Sequence, residues 1–197
     1  MKKQEFQALF KGSPIFLDGA TGSNLQQKGM PAGVCPEKWI LENGRTLVEL
    51  QQAFVAAGTN IVYAPTFTSN RIKLAEYGMG AQTRKINLEL VALSREAVGD
   101  RALVAGDITM TGAQLAPIGS IDLEELIDVY KEQITYLAEA GVDLLVVETM
   151  MSLQETRAAL IAAKEVCELP VMATMTFESD GRTLYGTDAV TAAVVLE

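Results

Sequence analysis

Five short apolar runs, each ending on polar residues, punctuate the chain. They are Ile15–Leu17 before Asp18, Ile61–Ala64 before Pro65-Thr66, Leu103–Ala105 before Gly106-Asp107, Leu144–Val147 before Glu148-Thr149, and Val171–Met175 before Thr176. Runs of this length without polar alternation suit strands buried on both faces, as in a parallel sheet covered by helices. Between them, apolar residues recur at helical spacing: Leu47, Leu50, Phe54 and Val55; Ile86, Leu90, Leu93 and Val98; Leu123, Leu126, Ile127, Tyr130, Ile134 and Leu137. Asp122 with Glu125, and Ser152 with Glu155, are spaced as capping boxes at helix starts. Ala57-Gly58 and Ala140-Gly141 are matching joints, where a helix ends on a left-handed Gly and turns directly into a strand.

Strand–helix alternation leaves two architectures. One is a five-stranded doubly wound open sheet. The other is a (β/α)8 TIM barrel, incomplete here with about five βα units, because eight units at this spacing need roughly 300 residues. Thr187-Asp188 reads as a helix start and Ala189–Leu196 as an apolar helix without a closing cap, so the α/β pattern stops part-way through a unit. The incomplete barrel is therefore the expectation. No linker or composition break divides residues 1–197, which read as a single domain, the N-terminal five-eighths of a barrel. Such an arc exposes strand edges and is expected to self-associate through them.

Charge narrows the partners. Sixteen basic against twenty-five acidic residues give a net charge of −9, which argues against a nucleic-acid backbone as ligand. No apolar stretch approaches a membrane span and no signal-peptide core follows Met1, so a cytoplasmic protein is expected. The chain has no histidine, which removes Ser-His-Asp and Cys-His catalysis and imidazole metal sites. Its two cysteines, Cys35 and Cys167, do not have zinc-motif spacing. Cys167 reads as a core residue and Cys35 as a plain loop thiol.

In parallel α/β folds, chemistry gathers at the carboxyl ends of the strands. There Asp18-Gly19-Ala20-Thr21-Gly22 places a carboxylate before small residues whose N–H groups can approach a ligand closely, although a tight turn explains it equally well. Glu148 ends the most apolar run, and needs either a ligand cation or an internal Arg or Lys. Asp107 reads as a helix cap or loop brace on the same rim, which Thr66, Thr149 and Thr176 complete. The set suits a small cationic or zwitterionic ligand. Paired carboxylates also raise glycoside hydrolysis, with Phe67 and Phe177 as stacking rings, and a non-catalytic zwitterion-binding or assembly module stays open.

Several motifs together carry a resemblance. They are Ile15–Gly22, Tyr63–Leu74, Gly106-Asp107-Ile108 with Thr111-Gly112, Val147–Met150, and Met175-Thr176-Phe177 with Gly181–Leu184 and Gly186-Thr187-Asp188. The chain resembles the homocysteine S-methyltransferase family, most nearly the homocysteine-binding domain at the N-terminus of cobalamin-dependent methionine synthase. The resemblance implies a (β/α)8 barrel in which Zn2+ binds homocysteine as thiolate and a methyl group from methylcobalamin gives methionine. It implies that Asp18 and Glu148 hold the ammonium of homocysteine, and that Gly19, Ala20 and Thr21 face its carboxylate. The family's cysteine ligands come from segments that would lie beyond residue 197, and neither Cys35 nor Cys167 matches one. The resemblance thus implies an inactive fragment without bound zinc, whose cobalamin and folate modules would belong to a longer protein.

Overall fold

The computed structural model describes residues 1–197. Four short helices come first: α1 (Lys3–Leu9), α2 (Thr21–Gln27), α3 (Pro36–Glu42) and α4 (Gly44–Ala56). Then β1 (Ile61–Ala64), α5 (Arg71–Ala75) and α6 (Thr83–Val98) lead to β2 (Leu103–Ile108), α7 (Leu123–Glu139) and β3 (Leu144–Met150). The chain continues through α8 (Leu153–Val166), β4 (Val171–Met175) and α9 (Ala189–Leu196). No helix is long and apolar enough to cross a membrane.

The four strands form one parallel sheet in the order β1-β2-β3-β4. The first apolar run adds only an isolated parallel bridge, Leu17 to Ile61, rather than the expected fifth strand. Phe16 and Leu17 stay exposed, so little burial holds that run in register. Spatial order follows chain order with no reversal. A doubly wound sheet needs such a reversal, so that alternative is excluded and the sheet is an arc of a barrel that does not close.

Period-two alternation sorts the strand residues. Val62, Ala64, Val104, Ile108, Leu145 and Val147 face outward and pack against α6, α7 and α8 through Val91, Leu126, Ile134 and Ala159. Each such aliphatic side chain, fully buried, contributes about 1.5–3 kcal/mol. Gly106 lies on the same outward face, where an added Cβ would stand 3.0 Å from Leu137 Cδ1, so a larger residue would push α7 away. Ile61, Ala105, Leu144 and Val146 face inward, and Phe6 of α1 closes over them. A separate cluster built from Leu25, Met30, Ile40, Leu47 and Leu90 holds the α2–α4 segment against α6, forming a wall beside the strand ends.

Local signals act as the sequence implies at most joints. Gly58 and Gly141 take φ of 107° and 81°, the left-handed geometry their joints require. Asp122 caps α7 by accepting from Glu125 N–H at 2.7 Å, and Asp188 caps α9 from Thr191 N–H at 2.9 Å. Ser152 caps α8, but neither this box nor the one expected at Asp122 and Glu125 closes, because neither glutamate bonds back to the cap N–H. Glu155 turns inward and accepts from Thr111 N–H, Thr111 Oγ1 and Tyr130 Oη at 2.7, 2.7 and 2.9 Å.

Candidate functional site

The inward alternation delivers acidic side chains to one end of the sheet. Asp18 follows the Leu17 bridge, Tyr63 lies in β1, Asp107 in β2 and Glu148 in β3. All four line a cavity of about 580 Å³. The sequence places Asp107 and Glu148 just past their strands. In the structure β2 and β3 run on to Ile108 and Met150, so the ladders themselves fix both residues. Asp18 Oδ2 accepts from Tyr63 N–H at 3.0 Å, which ties the first run to β1. Thr66 Oγ1 donates to Asp107 O at 2.8 Å and accepts from Asp107 N–H at 3.1 Å, clamping the backbone beneath that carboxyl.

The rest of the cavity is of two kinds. Leu25, Met30 and Ile40 give an apolar wall, and Gly19 to Gly22 give a backbone edge. The N–H groups of Gly19, Ala20 and Thr21 donate to no backbone carbonyl. Gly19 lies close to Phe54, where an added Cβ would be 3.1 Å from its Cε1. Glu37 and Thr68 form a third side. Thr68 donates to Glu37 through both its N–H (3.2 Å) and its hydroxyl, and Cys35 Sγ donates to the other Glu37 oxygen at 3.3 Å.

No lysine or arginine lines this space. Burial pushes the Asp18 carboxyl up to about 7 against the opposing Tyr63 N–H bond, with help from the charge on Glu148. Burial, then the charges of Glu148 and Asp18, hold Asp107 well above the usual carboxylate range. Burial also raises Glu148. Burial and the same three carboxyls raise the Tyr63 phenol. A site that disfavours its own anions is set to receive a cation.

The sequence-derived candidates separate accordingly. Asp18, Gly19, Ala20, Thr21, Asp107 and Glu148 meet at the cavity. Asp107 is neither helix cap nor loop brace: it is buried, and its Oδ1 has no hydrogen-bond partner. Glu148 has no internal Arg or Lys beside it. Thr66 is a buried brace rather than a rim hydroxyl. Thr149 and Thr176 lie outside the cavity lining, Thr149 at an irregularity of β3 with φ of 57°. Phe67 lines the cavity, but Phe177 and Trp39 do not, so no pair of stacking rings frames it. Sequence reasoning missed Tyr63, Glu37 and Thr68. Tyr63 was legible from its two-residue offset to Ile61.

The cysteines do not complete a metal centre. Cys35 is buried at the start of α3, and burial with the Glu37 carboxylate pushes its thiol up to about 11. It is the free loop thiol expected, but buried rather than exposed. Cys167 is half-buried at the end of α8 and donates to Ala163 O at 3.5 Å, on the margin of the core rather than within it. No three Cys, Asp or Glu side chains converge on a point where a metal ion could sit. The residues present do not fit a thiolate zinc site, which needs soft sulfur donors brought together.

A family model described as homocysteine S-methyltransferase matches residues 15–197. Among solved structures the chain is similar to the homocysteine methyltransferase MmuM from Escherichia coli in three forms. The metallated form matches with a TM-score of 0.82 and 20% identity over 97% of this chain and 73% of that one. The oxidized form gives 0.81 and 21% over 95% and 70%, and the apo form 0.73 and 21% over 95% and 68%. At such identity these structures establish the shared fold, an arc of the same barrel.

Proposed function

The chain belongs to the homocysteine S-methyltransferase family, a family of methyltransferases, and from that premise we propose that its cavity binds homocysteine as methyl acceptor. One observation supports this most strongly: four carboxyls line a cavity that contains no basic side chain, and of them only Glu37 has its oxygens taken up by side-chain and backbone donors on both sides. The ammonium of an amino acid is the missing cation. Asp18 and Glu148 hold it, the free N–H groups of Gly19, Ala20 and Thr21 receive the carboxylate, and the wall of Leu25, Met30 and Ile40 takes the thioalkyl chain. In this arrangement both ends of the amino-acid group orient the substrate.

On this reading residues 1–197 are the substrate-holding part of one barrel domain. The methyl donor is methylcobalamin, by likeness to the methionine synthase branch, and cobalamin and folate modules are its partners. A reducing cytoplasm suits the two free thiols. The chain does not itself supply the sulfur ligands for zinc, so it is expected to transfer no methyl group by itself.

Calorimetric titration with L-homocysteine tests the binding reading. Saturable binding that weakens about tenfold or more in Asp18→Ala and in Glu148→Ala supports it. Binding unaffected by either change sinks the assignment. A second reading, a non-catalytic zwitterion-binding module, is favoured by the lack of converging metal donors. Tightly bound stoichiometric zinc, or methionine formed from methylcobalamin and homocysteine by this chain, would rule that module out.

A further inference from the structure

With Glu37 held by Thr68 and Cys35, the three other carboxyls at the cavity are not equivalent, and the difference assigns a role to Asp107. Asp18 and Glu148 are half-buried, whereas Asp107 is only 6% exposed. Its backbone is clamped on both sides by Thr66 Oγ1, so the side chain cannot withdraw by a shift of the strand. Its Oδ1 is buried without a partner, and no hydrogen bond joins its carboxyl to Asp18, Glu148 or Tyr63. These are the titratable groups that face it, and no cation lines the cavity.

Resting on the reading that the cavity binds an α-amino acid, we infer that Asp107 enters the site as a neutral carboxylic acid. Its O–H donates to the carboxylate of the bound amino acid, beside the ammonium held by Asp18 and Glu148. The charge balance favours a neutral member. Asp18, Asp107 and Glu148 all ionised around a zwitterion, itself neutral overall, would leave a net charge of −3, and a neutral Asp107, the buried one of the three, lowers this to −2. The proton settles where burial is deepest, since desolvation penalises the charged form most strongly there. Desolvation and the charges of Glu148 and Asp18 push Asp107 in this direction, against a smaller pull from the Ile108 backbone N–H.

A protonated carboxyl offers one O–H donor and retains an acceptor. Two bonds separate the ammonium nitrogen of an α-amino acid from its carboxylate carbon, so a donor beside the ammonium site lies within reach of the carboxylate. Asp107 therefore complements the backbone N–H groups of Gly19 to Thr21 on the same cavity. It selects amino acids over simple amines, a discrimination that Asp18 and Glu148 cannot make. An acid held neutral by its surroundings and used as a donor is a known device of enzyme sites.

Two measurements on the full chain test this. The infrared difference spectrum of wild type minus Asp107→Asn near pH 7, in which the Asp18 carboxyl is common to both proteins, should show the carbonyl stretch of one protonated carboxylic acid. Calorimetry should show Asp107→Ala weakening L-homocysteine about tenfold while leaving homocysteamine, the same molecule without its carboxylate, within about twofold. Asp107→Asn, which keeps an N–H donor in the same place, should recover most of that loss. Equal weakening of both ligands in Asp107→Ala, or no recovery in Asp107→Asn, overturns the inference. A missing carboxylic-acid band beside intact homocysteine binding overturns it alone. A band present in a wild type that binds no homocysteine overturns the proposed function, and the ligand half of the inference with it.

Discussion

Glu155 and Glu37 stand in this fold as structural carboxylates, and Asp107 and Glu148 as site carboxyls. Glu155 is buried and receives three donors, from Thr111 N–H, Thr111 Oγ1 and Tyr130 Oη. Glu37 is equally buried and receives two from Thr68 and one from Cys35. Asp107 and Glu148 face a cavity without a cation beside them, and Asp107 Oδ1 is buried with no partner. The first pair ties loops to the sheet: Glu155 the segment after β2, Glu37 the start of α3. The second pair is left incomplete by the protein. Burial alone does not mark a functional acid. Burial without partners, beside open space, does.

Substitutions should therefore have opposite consequences in the two regions. Glu155→Ala leaves Thr111 and Tyr130 with unpaired buried donors and is expected to cost about 3 kcal/mol or more, read from the urea midpoint. Glu148→Gln removes a desolvated charge and is expected to hold or raise stability, by up to about 1 kcal/mol, while weakening homocysteine. A Glu148→Gln loss as large as that of Glu155→Ala would erase the distinction between the two regions.

The pH dependence sharpens the comparison. An acid whose folded pKa lies above its unfolded value favours the fold while protonated. For Asp18 that contribution is complete below its ordinary value of 3.8 and is lost as pH rises through about 7. Stability measured across that window should decline in the wild type, with a shallower slope in Asp18→Asn. A slope unchanged by the substitution would show that Asp18 is not the titrating group.

Much of this was legible in the sequence, with identifiable exceptions. The runs Ile61–Ala64 and Val171–Met175 coincide with β1 and β4. β2 and β3 extend further because Gly106, Asp107, Glu148 and Thr149 interrupt an apolar pattern without interrupting the ladder. Ile15–Leu17 reads as a strand of equal standing, yet only β1 lies beside it and it reduces to one bridge. Asp18 and Glu148 could be picked out as carboxylates at run ends. Glu37 could not, because its bond to Thr68 spans 31 positions and no local pattern encodes it. The inward turn of Glu155 was hidden for the same reason, by donors from Thr111 and Tyr130 that lie far from α8 in the chain.

The smallest expected effect concerns the rim. Thr149 holds φ of 57°, a costly conformation for a β-branched residue, next to Glu148. Thr149→Gly is expected to stabilise the fold by roughly 1 kcal/mol in thermal unfolding. A loss of stability would show that the Thr149 side chain contributes more than its backbone strain costs.

The central claim is that Asp18 and Glu148 await an ammonium, and N-acetyl-L-homocysteine tests it most directly. It keeps the thiol, the alkyl chain and the carboxylate, and lacks only the cation. Side-by-side calorimetry should show L-homocysteine binding saturably and the acetylated form at least about a hundredfold more weakly, the loss expected when buried charges are left unpaired. Equal affinity for the two would contradict the account.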